Sequence, residues 1–401
     1  MNTNTKQRII SISFVLMIIA TTFLAASAQT LQVGNVDELY SAVNNPANAG
    51  ATLNLAPGVY MLSATDPFGA ARPNGGRLEL QENMSLMGVS GDRSAVVIDA
   101  NNLPASSYTV PGFTGRVAGV RIGRGRNSIE WVTVRNARFG TSNIDTTLRS
   151  PGTAFVTVAH IASSGSQRGV DLINHAQLGA SGRTIEADVV DNDLFNNALG
   201  TIAQGMRAEN VRTGPGTVIN VRMTDNRSWG NLSGRFMGNN QATDSTVNVF
   251  SAGNRFFGNS VGSVIIAGYS SFATTQSNGN TVNFEAHGDH FTDNTTPWLY
   301  FGGIVVVGGE NASTGQNVVN NNTVKVALWG CRMEGNNTWD LLGVGARFLT
   351  PESVGSPGVN NHVTIEIHDN GLGHGRWRPV EFFADSIPAD PSLNNTVTVI
   401  R

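Results

Sequence analysis

Histidine is the side chain whose charge switches most easily near neutral pH. The densest group of titratable residues in this chain is His287-Gly288-Asp289-His290, followed by Asp293. A histidine base beside a cation can remove a proton α to a carboxylate while the cation takes up the charge that develops. Arg255 and Arg332 are the cations expected to do this, because each occupies the place of His290 in a recurring motif. Arg227 occupies it one repeat earlier, with Asp193 and Gly371 at the two ends of the series. Arginine suits a carboxylate ligand because its planar fork meets both oxygens. Trp229, Phe257, Trp298, Tyr300, Trp329 and Trp339 lie close by in sequence, and an exposed indole beside an arginine would make a sugar subsite. The expected roles are catalytic for His290, Arg255 and Arg332, and substrate-binding for Arg227, Trp229, Trp298 and Trp329. The plainer alternative is local neutralisation by Asp225, Asp293 and Glu334, with the aromatics packed in loops and with His287 and Asp289 turned partly inward.

Other chemistries have less to draw on. Asp191, Asp193 and Asp225 could offer oxygen ligands to Ca2+, the one cofactor the sequence suggests; capping of turns is the commoner use of such residues. Lys325, the only lysine after the first 28 residues, falls at an outward strand position and reads as a solvated surface group. No serine-histidine-aspartate elbow, phosphate loop or zinc-ligand spacing is present.

These residues can be compared because the chain repeats. Six segments align: Ile185 to Asn197, Ile219 to Asn231, Val247 to Asn259, Val282 to Asn294, Val324 to Asn336 and Val363 to Gly375. They start at residues 185, 219, 247, 282, 324 and 363, so the steps are 34, 28, 35, 42 and 39. A repeat of that length means one small unit stacked many times. Each segment opens with alternating apolar and polar residues, as a half-buried strand does. Short apolar runs such as Gly262 to Ala267 and Gly303 to Val307 follow, separated by turn residues. Two or three short strands per turn predict an all-β parallel β-helix solenoid. A β-sandwich would show two-residue hairpin signals and unrelated strands instead. Including earlier turns near Thr52, Leu78, Val96, Val120, Ile129, Phe155 and Val170, about ten coils are expected.

The eighth motif position holds Asn192, Asn226, Asn254, Asp289, Cys331 and Asn370. With coils about 4.8 Å apart, amides at one turn can bond to each other and to the turning backbone, which predicts an inner asparagine ladder. Cys331, the only cysteine, is then a small buried replacement in that ladder and excludes any internal disulfide. Leu194, Phe256, Phe291, Met333 and Leu372 follow as core residues. The ninth position should point outward.

Composition sets outer bounds. Lys6 and Arg8 precede the mostly apolar run Ile9 to Leu24 and the small residues Ala26-Ser27-Ala28, the pattern of an export signal spanning residues 1–28. A secreted, extracellular or periplasmic protein with no membrane span after cleavage is expected, folded as one domain over residues 29–401. The formal charge is −3, or −5 once Lys6 and Arg8 are removed, which argues against nucleic acid as a partner.

Val36 to Val43 has apolar residues at helical spacing and leads into Thr52-Leu53-Asn54-Leu55-Ala56-Pro57-Gly58-Val59-Tyr60. This resembles the start of the pectate-lyase-like right-handed parallel β-helix superfamily. The resemblance implies a right-handed solenoid with an N-terminal capping helix, residues 29–60 forming the cap and first coil. It also implies lyases, hydrolases or epimerases of acidic polysaccharides among its relatives, together with non-catalytic surface proteins. Gly373-His374-Gly375 matches one short motif of the polygalacturonase-like members, but the Asp-Asp, Asn-Thr-Asp and Arg-Ile-Lys motifs are absent. The lyases' Arg-x-Pro-x-x-Arg type signature is absent too.

The leading expectation is a secreted protein that binds or processes a carbohydrate, with an acidic polysaccharide as partner and β-elimination as the chemistry if it is catalytic. The alternative is a non-catalytic cell-surface, adhesion or spacer protein. Either is expected as a monomer or in edge-to-edge self-association through the last strand.

Overall fold

A computed structural model describes residues 29–110, 116–148, 150–199, 203–270, 275–295, 302–312, 318–348, 357–369, 371–374 and 378–401; the side chains of 176–180 and 371–385 are not described. The expected export segment 1–28, Trp298, Tyr300 and Asn370 lie outside the described residues.

Three sheets, all of parallel strands, run the length of the molecule, with twelve, ten and ten strands among the described residues. The first sheet runs from Thr30–Val33 to Thr396–Ile400, the second from Gly58–Ser63 to Gly371–His374, and the third from Leu78–Glu79 to Arg378–Ile387. The chain visits the sheets in rotation, so each strand pairs with its counterpart one turn earlier and one turn later. This is an all-β parallel β-helix, and its register is that of the sequence repeat: Ile185, Ile219, Val247, Val282, Val324 and Val363 are stacked partners.

The corners explain why the motif reads as it does. Between the first and second sheets the chain turns in two residues. The first is left-handed, with φ of 46° to 66° at Asp191, Asp225, Gly253, Gly288, Gly330 and Asp369. Such φ values favour glycine, or an Asp or Asn whose short side chain can bond locally. The second residue points inward and forms the ladder. Asn192 Nδ2 donates to Asn226 Oδ1 (2.9 Å), Asn226 Nδ2 to Asn254 Oδ1 (2.8 Å), and Asn254 Nδ2 to Asp289 Oδ1 (3.1 Å).

The same device recurs at the other corners. Asn197, Asn231, Asn259, Asn294 and Asn336 form a ladder between the second and third sheets. Asn280, Asn322, Asn361 and Asn395 form another between the third and first. In all three, each Oδ1 accepts the backbone N–H of the preceding coil, so buried polar backbone at the turns is satisfied.

The interior between the ladders is mostly apolar, and Phe256 and Phe291 stack at 5.1 Å. At the N-terminal end the helix Val36–Asn44 buries Leu39, Tyr40 and Val43 against the first coil. Asn35 Oδ1 accepts from the Glu38 N–H (2.9 Å), and Glu38 returns a bond from the Gly34 N–H (2.6 Å). This is a reciprocal cap that fixes where the helix begins.

Candidate functional site

The second sheet places Asp193, Arg227, Arg255, His290, Arg332 and Gly371 side by side on successive strands. Arg227, Arg255 and Arg332 are exposed and His290 is half-buried. Their local environments differ. Arg227 grips Asp193 with both prongs of its fork, at 2.6 and 2.9 Å. Neither Arg255 nor Arg332 has a salt bridge to a described residue. The sequence suggested Asp225, Asp293 and Glu334 as neutralising partners. None of them pairs with the stripe: Asp225 and Asp293 are corner residues with φ of 58° and 52°, and the single neutralised arginine takes Asp193 from within its own column.

Two of the three aspartates expected as calcium ligands, Asp191 and Asp193, are held by cations. Arg93 reaches across the wall to Asp191 (2.6 Å) and Asp193 (3.3 Å), and His160 bonds Asp191 at 2.9 Å. With Arg227 also on Asp193, these carboxylates have cationic partners where a Ca2+ site would need free oxygens. No group of three potential ligands is present among the described residues.

Two aromatic columns flank the stripe. Phe195, Trp229 and Phe257 stack at 4.7 and 5.4 Å on the second sheet. At the corner, Trp329 lies between His287 (6.0 Å) and His368 (3.7 Å), with the three rings nearly parallel. The faces of Trp229 and Trp329 are thus covered by their column neighbours, and each indole offers a ligand its edge rather than a platform. His287 does not join His290. It closes the last outward position of the first sheet and bonds Glu285 at 2.7 Å, while Asp289 between them is fully buried.

Inside the coil, Asp289 replaces an asparagine in the ladder and meets Arg235, which is fully buried. The Arg235 guanidinium lies over Phe256 (4.3 Å) and Phe284 (4.5 Å). Burial lowers its pKa, opposed by Asp289. Burial, reinforced by Asp289, pushes the Cys331 thiol up to about 11, so this residue is a core group and not a nucleophile.

Two features escaped the sequence reading. The outer face of the third sheet carries a shielded charge cluster. Asp145 and Asp171 are register partners, Arg207 holds Asp171 bidentately at 2.7 and 2.8 Å, and Arg207 also pairs with Glu209. Burial raises the Asp145 and Glu209 pKa values, opposed by Arg121 and Arg207 respectively. The second feature is a groove of about 810 Å³ along the outer face of the first sheet, reaching from Ser85 to Glu366. Its floor holds an outer row of amides at Asn220, Asn248 and Asn283. The signal was the polar second position of each motif, read only as alternation.

No family model and no curated protein matches the chain. Among solved structures it is similar to the catalytic unit of thermostable GH87 alpha-1,3-glucanase from Streptomyces thermodiastaticus strain HF3-3. The identity is 13%, the TM-score 0.32, and the match covers 94% of this chain and 68% of that one. So distant a likeness transfers no residue role.

Proposed function

We propose that this β-helix is a carbohydrate-processing protein that lays an acidic polysaccharide along the outer wall of its second sheet. One observation carries the reading: Arg255, His290 and Arg332 stand in register on adjacent strands, and neither arginine has a carboxylate partner among the described residues. Like charges so placed repel, and solvent only reduces that cost. A polyanion along the stripe removes it. Adjacent strands are about 4.8 Å apart, close to the advance of one sugar in an extended chain. A two-fold uronan turns carboxylates to one side at every second residue, which suits Arg255 and Arg332 two coils apart.

His290 between them is the base of a β-elimination. It takes the proton α to the carboxylate, and the flanking arginines stabilise the enolate-like charge. The electron pair then forms the ring double bond as the glycosidic carbon–oxygen bond breaks, and water protonates the leaving oxygen. Trp229 supplies an apolar flank beside the stripe. The export pattern of residues 1–28 supports a secreted setting for this activity.

The test is reducing-end release by the purified protein from polygalacturonate, alginate and neutral polysaccharides, with and without calcium. Release accompanied by the ultraviolet absorbance of an unsaturated uronate supports the reading. Release without that absorbance replaces elimination by hydrolysis. No release from any polymer leaves the second reading, a non-catalytic surface or adhesion spacer. That reading draws on the Arg227–Asp193 pair, which shows one member of the stripe already neutralised within the wall.

A further inference from the structure

The groove on the first sheet is a different chemical surface from the arginine stripe. Its outward residues come from successive parallel strands, so anything filling its length is itself extended along the solenoid axis. Three consecutive coils contribute an amide row that ends on a carboxylate. Asn283 Nδ2 donates to Asn248 Oδ1 (2.8 Å), Asn248 Nδ2 to Asn220 Oδ1 (2.7 Å), and Asn220 Nδ2 to Glu186 Oε1 (2.7 Å).

Each amide has two N–H groups and two acceptor lone pairs. Asn220 and Asn248 spend one N–H and one lone pair on the row and have no further partner among the described residues. One donor and one acceptor therefore remain on each of these two, and one donor and both acceptor lone pairs on Asn283, all three residues being half-buried in the floor. A hydroxyl group is both donor and acceptor and matches that pattern; a carboxylate or sulfate only accepts.

Charge points the same way. Arg126, Arg222 and Lys325 line the groove against Glu186, Asp188, Glu285 and Glu366, so neither sign dominates and a polyanion gains nothing there. Two aromatic side chains in the same groove, Phe155 and Phe250, are each 39% exposed. The Arg126 guanidinium lies over one face of Phe155 (4.6 Å) and Phe250 leans on His287 (5.4 Å), so the surface they supply to the C–H faces of sugar rings is what these neighbours leave exposed.

From the amide row, the balanced charge and the exposed rings, we infer that this groove is a second carbohydrate site, specific for a neutral, hydroxyl-rich linear glycan. It is separate from the stripe and does not depend on the stripe's function. A protein with both walls occupied holds two chains side by side, one neutral and one acidic, across the corner that carries Trp329.

Calorimetric titration of the full chain with cellohexaose, xylohexaose, mannohexaose and laminarihexaose tests this. At least one is expected to bind, with a tenfold or greater loss of affinity in Phe250→Ala and in Asn248→Leu. Melting temperatures report whether each variant is folded; Phe250→Ala removes only an exposed ring and keeps the test alive if Asn248→Leu does not fold. Saturating hexagalacturonate should leave the neutral ligand bound. Binding of none of the four overturns the inference. So does affinity unchanged in folded Phe250→Ala, or displacement by hexagalacturonate, which would merge the two sites into one.

Discussion

Arg235 and Asp289 form an ion pair at 3.1 Å inside the solenoid, with neither side chain reaching solvent. The pair interrupts the first inner ladder: Asp289 Oδ1 still accepts the Asn254 N–H at 2.9 Å, while Oδ2 faces the guanidinium. Arg235 Nε donates to Ser263 Oγ (3.0 Å), and its charge rests on the rings of Phe256 and Phe284.

Removing one partner strands a buried charge. Asp289→Asn restores the ladder amide but leaves Arg235 unpaired, so a loss of roughly 3–5 kcal/mol is expected. The double variant Arg235→Met/Asp289→Asn should recover most of it, because a buried pair replaced by apolar packing is often neutral. Denaturant titration of both proteins checks this. Equal destabilisation in the two would contradict the unpaired-charge explanation.

The stripe gives a binding prediction that distinguishes its members. Arg255→Ala and Arg332→Ala should each weaken polygalacturonate binding by roughly 1.5–3 kcal/mol, the range of a charge-assisted hydrogen bond. Arg227→Ala should cost much less, because Asp193 already occupies that fork. The measurement is affinity at two salt concentrations, with the salt dependence falling in the first two variants. A uniform effect across all three arginines would mean that the Asp193 pairing does not matter to the ligand.

Cys331 should be inert to thiol reagents in the folded protein at neutral pH. It is fully buried, and burial has pushed its pKa up to about 11. Stoichiometric labelling is expected only after denaturation. Rapid labelling of native protein would place the residue outside the core.

Asp145 yields a pH prediction. Burial raises its folded pKa above the unfolded value, so the folded state holds the proton more tightly. Its favourable contribution is complete below the unfolded pKa, near 3.9, and is lost as pH rises through the folded pKa. Asp145→Asn imitates the protonated form and should be more stable than the parent at neutral pH. That advantage should vanish near pH 3. Melting temperatures of both proteins across this range decide it, and a gain that persists in acid would contradict the titration.

What could be read from sequence follows from what repeats. The stripe was located because position nine is counted from the same corner in six coils, and the strand pairs keep that register. The partner of Arg227 was missed because lateral neighbours in a solenoid are some thirty residues apart. Asp193 is such a neighbour, whereas the aspartates nearest in sequence are spent on left-handed corners. The cluster around Asp145 and Asp171 was not legible: it comes from early coils outside the six-fold alignment, where no column could be assembled. The groove row was visible as Asn220, Asn248 and Asn283, but alternation alone says that a residue faces outward and not that its neighbours make it part of a concavity.

The corner ladders also give the molecule a direction. At each rung the side-chain oxygen of the later coil satisfies a backbone N–H of the earlier one, as Asn226 does for Asn192, Asn231 for Asn197 and Asn322 for Asn280. A coil is therefore unfinished until its successor arrives, while the successor's amide finds its acceptor already in place. Cutting the stack between coils leaves an unmet backbone N–H and carbonyl on the N-terminal piece and an unmet side-chain amide oxygen and N–H on the other, so the two cut ends are complementary rather than alike.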